Sequence, residues 1–481
     1  NMAKKWRICS QTLIRNSRYN QSINTGIDTG INTGTISMSR KRKKFSKEPV
    51  ITKIDSISHD GRGVAHIDGK TVFIQNALPH ETVKFQYTRS HRRFDEGQST
   101  EILTPSPERI SPKCPHYAVC GGCQLQHAST EFQLKHKQAV LMEQLHHFGH
   151  VEPKEIVPPI TADIWNYRRK ARLGVRFVDK LETVYVGFRE KNGRYIAKMS
   201  ECPILHKTLC NQIENLKTLI GSLSIYKDIP QIEVAVGDDQ TALVFRHIKP
   251  LTSDDLKKLR AFGAQHSFWI YLQPGDLNSV HKLYPDDDYL LLTYMNQNLK
   301  LQFHPCHFTQ VNASINSLMI ARAIEWLQPN KDENILDLFC GLGNFTLPIA
   351  TYCKQVTGVE GNDDLIQLAR QNAQNNQLSN IDFFTADLNE TVTETNWAKQ
   401  KYNKVILDPP RTGALEILEY IHSLNPNCIV YVSCNPSTLA RDAGKLAELG
   451  WTLEKISILN MFPHTAHFET IALFIPNSAV N

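Results

Sequence analysis

The sequence predicts an α/β protein with all-β parts in front of it. A doubly wound, mostly parallel sheet is expected at the carboxyl end, preceded by a small barrel and a β-rich central part. Two observations predict this. From residue 306 onward, strands, glycine-containing loops and helices alternate, which is typical of a parallel sheet with helices on both faces. Between residues 49 and 300, most segments are short strands bounded by turn residues.

The length of the chain sets the expected number of domains. At 481 residues it exceeds the size of one ordinary core, so about three domains are expected. Changes in composition divide it into a flexible basic extension, a barrel, a central β-rich domain and the doubly wound domain. Their expected bounds are 1–48, 49–106, 107–305 and 306–481.

The first 48 residues include a segment that cannot bury a core. NTGIDTGINTGT at 24–35 is a short polar repeat, and SRKRKKFSK at 39–47 contains six cations and no acid. The absence of acids before Asp28 is also typical of a transit peptide, but the polar repeat favours a flexible leader. We therefore expect residues 1–37 to be dispensable.

Basic residues are concentrated in patches. The net charge of +6 is modest, but YTRSHRR at 87–93 and NYRRKARLGVR at 166–176 combine cations with aromatic residues. Together with the run at 39–47, these patches favour binding to nucleic acid over an ordinary solvated surface. No apolar run approaches the roughly 20 residues that span a bilayer, so no membrane association is expected.

The cysteines indicate the compartment. Eleven cysteines without a recognisable secretion signal predict a reducing environment, where thiols act as ligands or nucleophiles rather than cross-links. We therefore expect a cytoplasmic protein. No sequence feature predicts an obligate protein partner.

The barrel is predicted from short alternating strands and tight turns between residues 49 and 106. DGRG and IDGK place glycine where tight turns need a positive φ. The segment GRGVAHIDGKTVFIQNALPHETV is similar to a TRAM domain, an RNA-binding barrel related in shape to the OB-fold. This resemblance implies an RNA-binding barrel.

The central domain is predicted to be β-rich. Its expected strands include KARLGVRFV, TVYVGFRE, QIEVAVG, TALVFRHI, SFWIYLQ and YLLLTYM. Apolar spacing predicts one amphipathic helix over 132–148, and a second helix is expected near 207–222.

A glycine loop predicts the cofactor site. DLFCGLGNFTLPIA places glycines in the turn after a buried strand, where a side chain would block a ligand from the backbone. Glu360 ends the next strand, 19 positions beyond Gly341, which suits a carboxylate that binds ribose hydroxyls. With Asp387 after the third strand, the pattern resembles Rossmann-like S-adenosylmethionine methyltransferases. The alternative is that both acids are ordinary residues at strand ends.

Four further motifs fall at the same edge of the predicted sheet. They are HFTQVN at 307–312, LDPPR at 407–411, SCNP at 433–436 and HFET at 467–470. Together they resemble the RNA uracil-C5 methyltransferases over about residues 49–475. Within that family, the added TRAM domain and cysteine cluster resemble the members that methylate a uridine of 23S ribosomal RNA.

Uracil chemistry explains why such an enzyme needs a thiol. C5 is a poor nucleophile, so a thiolate first adds to C6, and a general base later removes the C5 proton so that the thiol can leave. The resemblance implies that Cys434 is the nucleophile and Glu469 the base. His464 and His467 are alternative bases nearby.

The resemblance also implies the remaining site residues. Asp408 is implied to orient the target ring and to contact the cofactor. Phe308 is implied to stack on the uracil, because a folded RNA must expose its base before attack. The cofactor positions are Gln310, Phe339, Asn344, Glu360, Asp387 and Asp408.

A second group of cysteines has the pattern of a metal centre. Cys114, Cys120 and Cys123 form C-x5-C-x2-C, and Cys202 lies far downstream. Three close cysteines and one remote cysteine suit an iron–sulfur cluster, and the family resemblance implies [4Fe-4S]. Zinc, with His116 or His127 as a further ligand, is the alternative. Methyl transfer needs no redox step, so a structural or RNA-positioning role is expected.

Alternating cations predict an RNA-binding face beside this centre. Arg168, Lys170 and Arg172 would lie on one face of a strand. The family resemblance implies that Arg172 is nearest the target. The alternative is a solvated edge strand, since Lys and Arg commonly protect sheet edges.

Two other functions stay open at this point. The same chemistry could act at another rRNA site or on tRNA, because the target nucleotide does not follow from motif spacing. A non-catalytic RNA-binding or assembly protein would be expected to lack the nucleophile, the base or the cofactor acid, and all three are present.

Overall fold

The amino-terminal part forms a six-stranded sheet. The structure, a computed structural model, describes residues 48–191, 193–390 and 395–477, so the predicted flexible extension lies outside it except for Glu48. The strands are β1 (Val50–Lys53), β2 (Ser56–Ile57), β3 (Gly63–Ile67), β4 (Lys70–Gln75), β5 (Thr82–Ser90) and β6 (Phe94–Thr104). Their order is β1-β5-β6-β4-β3-β2. The expected tight turns are confirmed by the positive φ values of Gly61 (85°) and Gly69 (75°).

A loop that contains three cysteines leads from this sheet into helix α1 (Thr130–Gln144). The side chain of Ser129 caps the helix by accepting a hydrogen bond from the backbone N–H of Phe132. The helix continues as a π-helical turn over Leu145–Gly149, so the predicted helix over 132–148 is confirmed. A short strand, β7 (Glu155–Ile156), follows.

The second sheet also has six strands, in the order β13-β12-β11-β10-β8-β9. Its elements are β8 (Lys170–Val178), β9 (Thr183–Gly187), α2 (Ile213–Ser222), β10 (Gln231–Val236), β11 (Thr241–Arg246), α3 (Ser253–His266), β12 (Phe268–Gln273) and β13 (His281–Tyr284). Helix α2 begins six residues later than the expected 207–222. A hairpin of β14 (Leu292–Asn296) and β15 (Leu299–Phe303) follows.

Helix α3 was missed by the sequence-based prediction, which read this region mainly as strands. A capping box starts it: Thr252 accepts from the N–H of Asp255, whose carboxylate accepts from the N–H of Thr252 at 2.9 Å. The motif T-x-x-D before an apolar spacing was the signal available in the sequence.

The third sheet has eight strands in the order β18-β17-β16-β19-β20-β22-β21-β7. Its elements are α4 (Ala313–Leu327), β16 (Asn334–Leu338), α5 (Thr346–Ala350), β17 (Gln355–Glu360), α6 (Asp363–Asn375), β18 (Ile381–Thr385), β19 (Lys404–Leu407), α7 (Leu418–Ser423), β20 (Cys428–Ser433), α8 (Pro436–Glu448), β21 (Trp451–Leu459) and β22 (Glu469–Pro476). Strands β16 to β20 are parallel, and only β22 runs antiparallel to its neighbours. Separate apolar clusters cover the two faces of this sheet. The predicted mostly parallel, doubly wound sheet is confirmed.

The predicted central domain contributes to the third sheet as well as to the second. Strand β7 pairs with β21, and helix α1 packs against α8. The described residues, from Glu48 onward, fall in one compact unit. The domain bounds at 106 and 305 therefore remain a prediction. No helix among the described residues is long and apolar enough to cross a membrane.

Candidate active site

The predicted site residues come together at one edge of the third sheet. Strands β16, β17, β19 and β20 are parallel, so their carboxyl ends and the loops that follow them meet at this edge. Strand β22 is antiparallel and begins there with Glu469. Ser433, the last residue of β20, pairs with Thr470, so continuation of this register by one residue brings Cys434, which follows the strand, opposite Glu469. The charge of Glu469 acts on the Cys434 thiol, as this proximity requires.

The thiol of Cys434 lies where a strand gives way to a helix. The side chain of Asn435 caps α8 by accepting from the N–H of Ser437 at 3.2 Å, and Pro436 is the first residue of the helix. Burial raises the pKa of Cys434 to about 12, the charges of Glu469 and Asp408 add to this, and Arg411 opposes it. The raised pKa favours the protonated thiol at neutral pH.

Two carboxyl groups share this edge with the thiol. Glu469 is 4% exposed, and its Oε2 has no hydrogen-bond partner within the described residues. Burial raises the pKa of Glu469 to about 8, and the charge of Asp408 contributes. Burial also raises the pKa of Asp408 to about 7. A carboxylate that binds its proton this firmly is a stronger base than an exposed one.

The alternative bases are placed less favourably. The ring of His464 stacks on Trp165 with the ring centroids 4.0 Å apart, and burial lowers its pKa to about 4. His467 is exposed, and its pKa is lowered by desolvation and by the charges of Arg411 and Lys137. Only Glu469 comes opposite Cys434 in the strand register.

The glycine loop and the acid of the second strand bond to each other. Glu360 accepts from the N–H of Gly341 at 3.3 Å through one oxygen and from the N–H of Asn362 at 3.1 Å through the other. Burial raises the pKa of Glu360. Phe339 and Gly341 both have positive φ, 63° and 56°. A Cβ added to Gly341 would have no atom within 4 Å, so space for a ligand lies beside the loop.

The three other expected cofactor residues differ in what holds them. The amide of Asn344 donates to Asn316 at 2.9 Å and accepts from Tyr294 at 3.1 Å, which ties the loop to α4 and β14. Asp387 accepts from Asn389, and Gln310 is half-buried in the segment before α4. Because both ends of the Asn344 side chain are bonded within the protein, its amide would have to exchange partners to reach a cofactor.

The sequence-based prediction missed two buried acids at this edge. Asp337 in β16 is fully buried and accepts from Thr346 at 2.5 Å, and burial raises its pKa to about 8. The acid inside the apolar run NILDL was the available signal. Asp442 in α8 accepts from Tyr431 and from the N–H of Ala414, both at 2.7 Å, and no sequence pattern marks it.

The four predicted ligand cysteines line one cavity. Cys114, Cys120, Cys123 and Cys202 are all buried around it. Burial raises the pKa of Cys123 and of Cys202 to about 12, and each is raised further by neighbouring thiols. Over residues 48–191, 193–390 and 395–477, no three His, Cys, Asp or Glu side chains are arranged to hold a single ion.

Neither candidate zinc histidine lines this cavity. The ring of His127 bonds Tyr117 at 2.5 Å, and that of His116 bonds Ser200 at 3.0 Å.

The predicted RNA-binding residues differ in their environments. Lys170 contacts the carbonyl of Pro305 and pairs with Glu233 at 3.2 Å, so its charge is neutralised within the protein. Arg172 is exposed, with Glu233 at 3.5 Å, and Phe308 is 71% exposed. Arg168 precedes β8 and makes isolated bridges to Leu205 and Asn312. The three cations therefore do not form one exposed row, because Glu233 on the adjacent strand pairs with Lys170.

Comparisons with known proteins agree with this arrangement. Residues 129–476 match the family described as tRNA (Uracil-5-)-methyltransferase, and residues 43–99 match the TRAM domain. A protein of Hahella chejuensis (strain KCTC 2396), named 23S rRNA (uracil(1939)-C(5))-methyltransferase RlmD, is 51% identical over 91% of this chain and 99% of its own length. A protein of the same name from Legionella pneumophila (strain Corby) is 46% identical over the same shares.

One solved structure has a similar fold. It is the Pyrococcus abyssi tRNA (uracil-54, C5)-methyltransferase in complex with S-adenosyl-L-homocysteine, with a TM-score of 0.68 and 24% sequence identity. The likeness covers 89% of this chain and 100% of that one. It supports the predicted S-adenosylmethionine methyltransferase fold.

Replacing Glu469 by glutamine is expected to stabilise the protein more as the pH rises. The folded-state pKa of Glu469, about 8, lies above its ordinary value of 4.5. The folded wild type thus keeps a proton that the unfolded chain has lost, and it loses stability as pH rises through this window. Glutamine does not titrate. The gain in unfolding free energy should be on the order of 1–3 kcal/mol at about pH 8 and small near about pH 4.5.

Denaturant unfolding across this pH range measures the difference. The exposed Glu416, which lies near the same edge, gives the matched control Glu416→Gln, expected to change stability little at any pH. If Glu469→Gln raised the free energy of unfolding equally at both ends of the pH range, the raised pKa of Glu469 in the folded protein would be contradicted.

Proposed function

The chain belongs to the tRNA (Uracil-5-)-methyltransferase family, and on this premise we propose that it methylates C5 of a uridine in 23S rRNA. S-adenosylmethionine is the methyl donor. The observation that carries the proposal is the placement of the Cys434 thiol opposite the buried, unpartnered carboxyl group of Glu469. Relatives that match over 99% of their own length carry the 23S rRNA name, which favours that substrate.

Cys434 begins the reaction by adding to C6 of the uracil. Its proton must leave first, and Glu469 and Asp408 are the titratable acids whose charges act on the thiol. The carboxylate of Asp408 would take this proton, because Glu469 must be ionised for the last step. The new S–C6 bond places an electron pair on the C5–C4–O4 system, so that C5 becomes nucleophilic. Arg411, which opposes the rise in the thiol pKa, favours the thiolate form.

Bound S-adenosylmethionine would supply a methyl group on a sulfonium. As C5 forms its bond to the methyl carbon, the S–CH3 bond would break, and S-adenosylhomocysteine would leave with the electron pair of that bond. The space beside Gly341 and the carboxylate of Glu360 fit such a ligand, and Glu360 would bind its ribose hydroxyls. Gln310, Phe339, Asn344, Asp387 and Asp408 are proposed as further contacts.

Glu469 completes the reaction. After methyl transfer C5 carries both a methyl group and a proton, and Glu469 removes the proton. The C5–H electron pair then re-forms the C5–C6 double bond, and the sulfur of Cys434 leaves with its electron pair. Burial raises the pKa of Glu469, so its ionised carboxylate binds a proton more strongly than an exposed carboxylate does. This stronger basicity suits removal of the C5 proton.

The cysteine cavity is proposed to hold a [4Fe-4S] cluster. In such a cluster each thiolate binds a different iron, so the four sulfurs need not converge on one point as zinc ligands do. Four buried thiols around one cavity, without a convergent set of three, are compatible with this geometry. The cluster would hold the remote Cys202 segment against the loop of the other three cysteines.

The remaining parts are proposed to bind the RNA. The amino-terminal sheet would act as a TRAM barrel, and Arg168, Arg172 and Phe308 would contact the substrate, with Phe308 stacking on the exposed base. Lys170 would hold its segment by pairing with Glu233 and would not contact an RNA phosphate.

A tRNA substrate is the second candidate, since the family name and the solved relative refer to tRNA. A cytoplasmic location and no obligate protein partner are proposed.

Replacing Cys434 by serine is expected to abolish methyl transfer, lowering the rate by at least about a thousandfold, because a hydroxyl is a far weaker nucleophile. Incubation of unmodified 23S rRNA with tritiated cofactor, followed by nucleoside analysis, measures this. Cys428 begins the same strand and is also buried, so Cys428→Ser is the matched control and should keep its turnover. Label on adenine or cytosine, or undiminished turnover of Cys434→Ser, would contradict the mechanism. Label found only in tRNA would keep the mechanism but show that the substrate is tRNA and not 23S rRNA.

Serine at Cys123 or Cys202 is expected to remove the cluster. The purified wild type should be brown and should contain about four irons and four sulfides per chain, as a [4Fe-4S] centre requires. Metal analysis and visible absorption measure this. Cys210 lies outside the cavity, so Cys210→Ser should keep its iron. Stoichiometric zinc in place of iron would overturn the assignment.

A further inference from the structure

Helix α1 buries two polar side chains one turn apart. Gln133 is 1% exposed, and Lys137 is completely buried. Both face the segment 460–468, which connects β21 with β22 and leads into Glu469. Apolar spacing predicted an amphipathic helix, but this part of its buried face is polar.

Gln133 joins three separate segments. Its amide nitrogen donates to the carbonyls of Leu125 and Ala128 at 3.0 and 2.9 Å, both on the loop after Cys123. Its amide oxygen accepts from the N–H of His464 at 2.9 Å. The carbonyl of His464 in turn accepts from the N–H groups of Gln124 and Leu125 at 3.0 and 2.9 Å. The cysteine loop and the segment before Glu469 are therefore bonded to each other twice.

Lys137 fixes the same segment one turn further along α1. Its ammonium group donates to the side chain of Asn460 at 2.9 Å and to the carbonyl of Phe462 at 3.1 Å. No carboxylate pairs with it in the part of the chain that the structure describes, and burial lowers its pKa to about 7. A buried ammonium without a counter-ion is costly, and here its two hydrogen bonds to the 460–462 segment offset part of that cost.

The position of Glu469 depends on this segment. Glu469 is the first residue of β22, and its Oε2 has no partner among the described residues that would orient it. The carboxyl group is therefore aimed by the backbone that enters the strand. The segment connects Leu459 to Glu469, which pair with each other. Lys137 holds it at the side chain of Asn460 and the carbonyl of Phe462, and Gln133 holds it at the N–H of His464. The hydroxyl of Tyr167 also donates to the carbonyl of Pro463 at 3.2 Å.

From these contacts we infer that Gln133 and Lys137 are positioning residues for the general base, and that Gln133 couples the base to the cysteine loop. This inference rests on the proposed function. The side chains do not touch the substrate. They act by keeping Glu469 opposite Cys434.

The inference predicts which reaction step fails. Addition of Cys434 and methyl transfer need no base at C5, whereas release of the product needs Glu469 to take the C5 proton. If the segment shifts, the methyl group is transferred but the C5–H and S–C6 bonds remain. Methylated RNA then stays covalently attached to Cys434.

Lys137→Met and Gln133→Leu test this in the full-length protein, with unmodified 23S rRNA transcribed in vitro. Denaturing gels measure the fraction of enzyme linked to RNA, and steady-state assays give kcat and KM. We expect kcat to fall about tenfold or more, KM for RNA to change less than about twofold, and the linked fraction to rise.

Lys404→Met is the matched control. Lys404 is also a buried lysine bonded to a carbonyl, at 2.7 Å from the oxygen of Gln328, but it begins β19 at the opposite edge of the sheet. Unlike Lys137 it also pairs with a carboxylate, that of Glu333 at 2.8 Å, so its replacement should destabilise the fold at least as much. This variant should lose thermal stability without accumulating linked RNA. If the α1 variants behave in the same way, their residues are structural only and the inference is overturned.

Hydrogen exchange of the free protein provides a readout independent of activity. The amides of 460–470 should exchange faster in both α1 variants and in Cys123→Ser, but not in Cys210→Ser or Lys404→Met. Unchanged exchange in the α1 variants would overturn the inference even if the enzyme is active. If the α1 variants exchange faster but the wild-type protein methylates no uridine, the result would support the positioning role of Gln133 and Lys137 and reject the proposed function.

Discussion

The antiparallel pairing of β20 with β22 is the constraint on which the catalytic edge depends. A purely parallel sheet would bring only strand carboxyl ends to this edge, and the base would have to come from a loop. Because β22 enters the sheet in the opposite direction, its first residue stands beside the last residues of β20. A thiol on one strand and a carboxyl group on its neighbour are thus held by backbone hydrogen bonds, not by flexible connections.

Burial then determines the chemistry at this edge. Glu469, Asp408 and Asp337 all have raised pKa values, about 8, 7 and 8, and burial is the first cause for each. The charge of Asp408 also acts on Glu469 and on Asp337, and the charges of Glu469 and Asp408 act on Cys434. The site therefore holds protons that the reaction must move. This arrangement costs stability at neutral pH, which is common where catalytic groups are buried together.

The sequence predicted the parts of the protein whose signals are local. The alternating strands and helices and the turns at Gly61 and Gly69 follow from short patterns, and the structure confirms them. The family was recognised from four motifs, and the relatives confirm it. Glu469 stood out because an acid inside an apolar strand requires a role, and the same rule would have marked Asp337.

Other features depend on contacts between distant segments. Lys170 alternates with Arg172, yet only the pairing of β8 with β10 shows that Glu233 neutralises it. Gln133 and Lys137 lie on a helix whose partner is the backbone of residues 460–464, more than 300 positions away, so no local period could reveal them. The cofactor, cluster and RNA-contact assignments remain proposals derived from the family resemblance and compatible with this geometry.

The attack of Cys434 on the pyrimidine ring is the central claim, and a suicide substrate tests it most directly. With 5-fluorouridine at the target position, C5 carries no proton for Glu469 to remove, so the enzyme should stop as a covalent complex. Mass spectrometry of the digested complex, formed in the presence of S-adenosylmethionine, is expected to show a methylated fluorouridine linked to the peptide that contains Cys434. The absence of any linked peptide on an RNA whose unfluorinated form is methylated would contradict the mechanism.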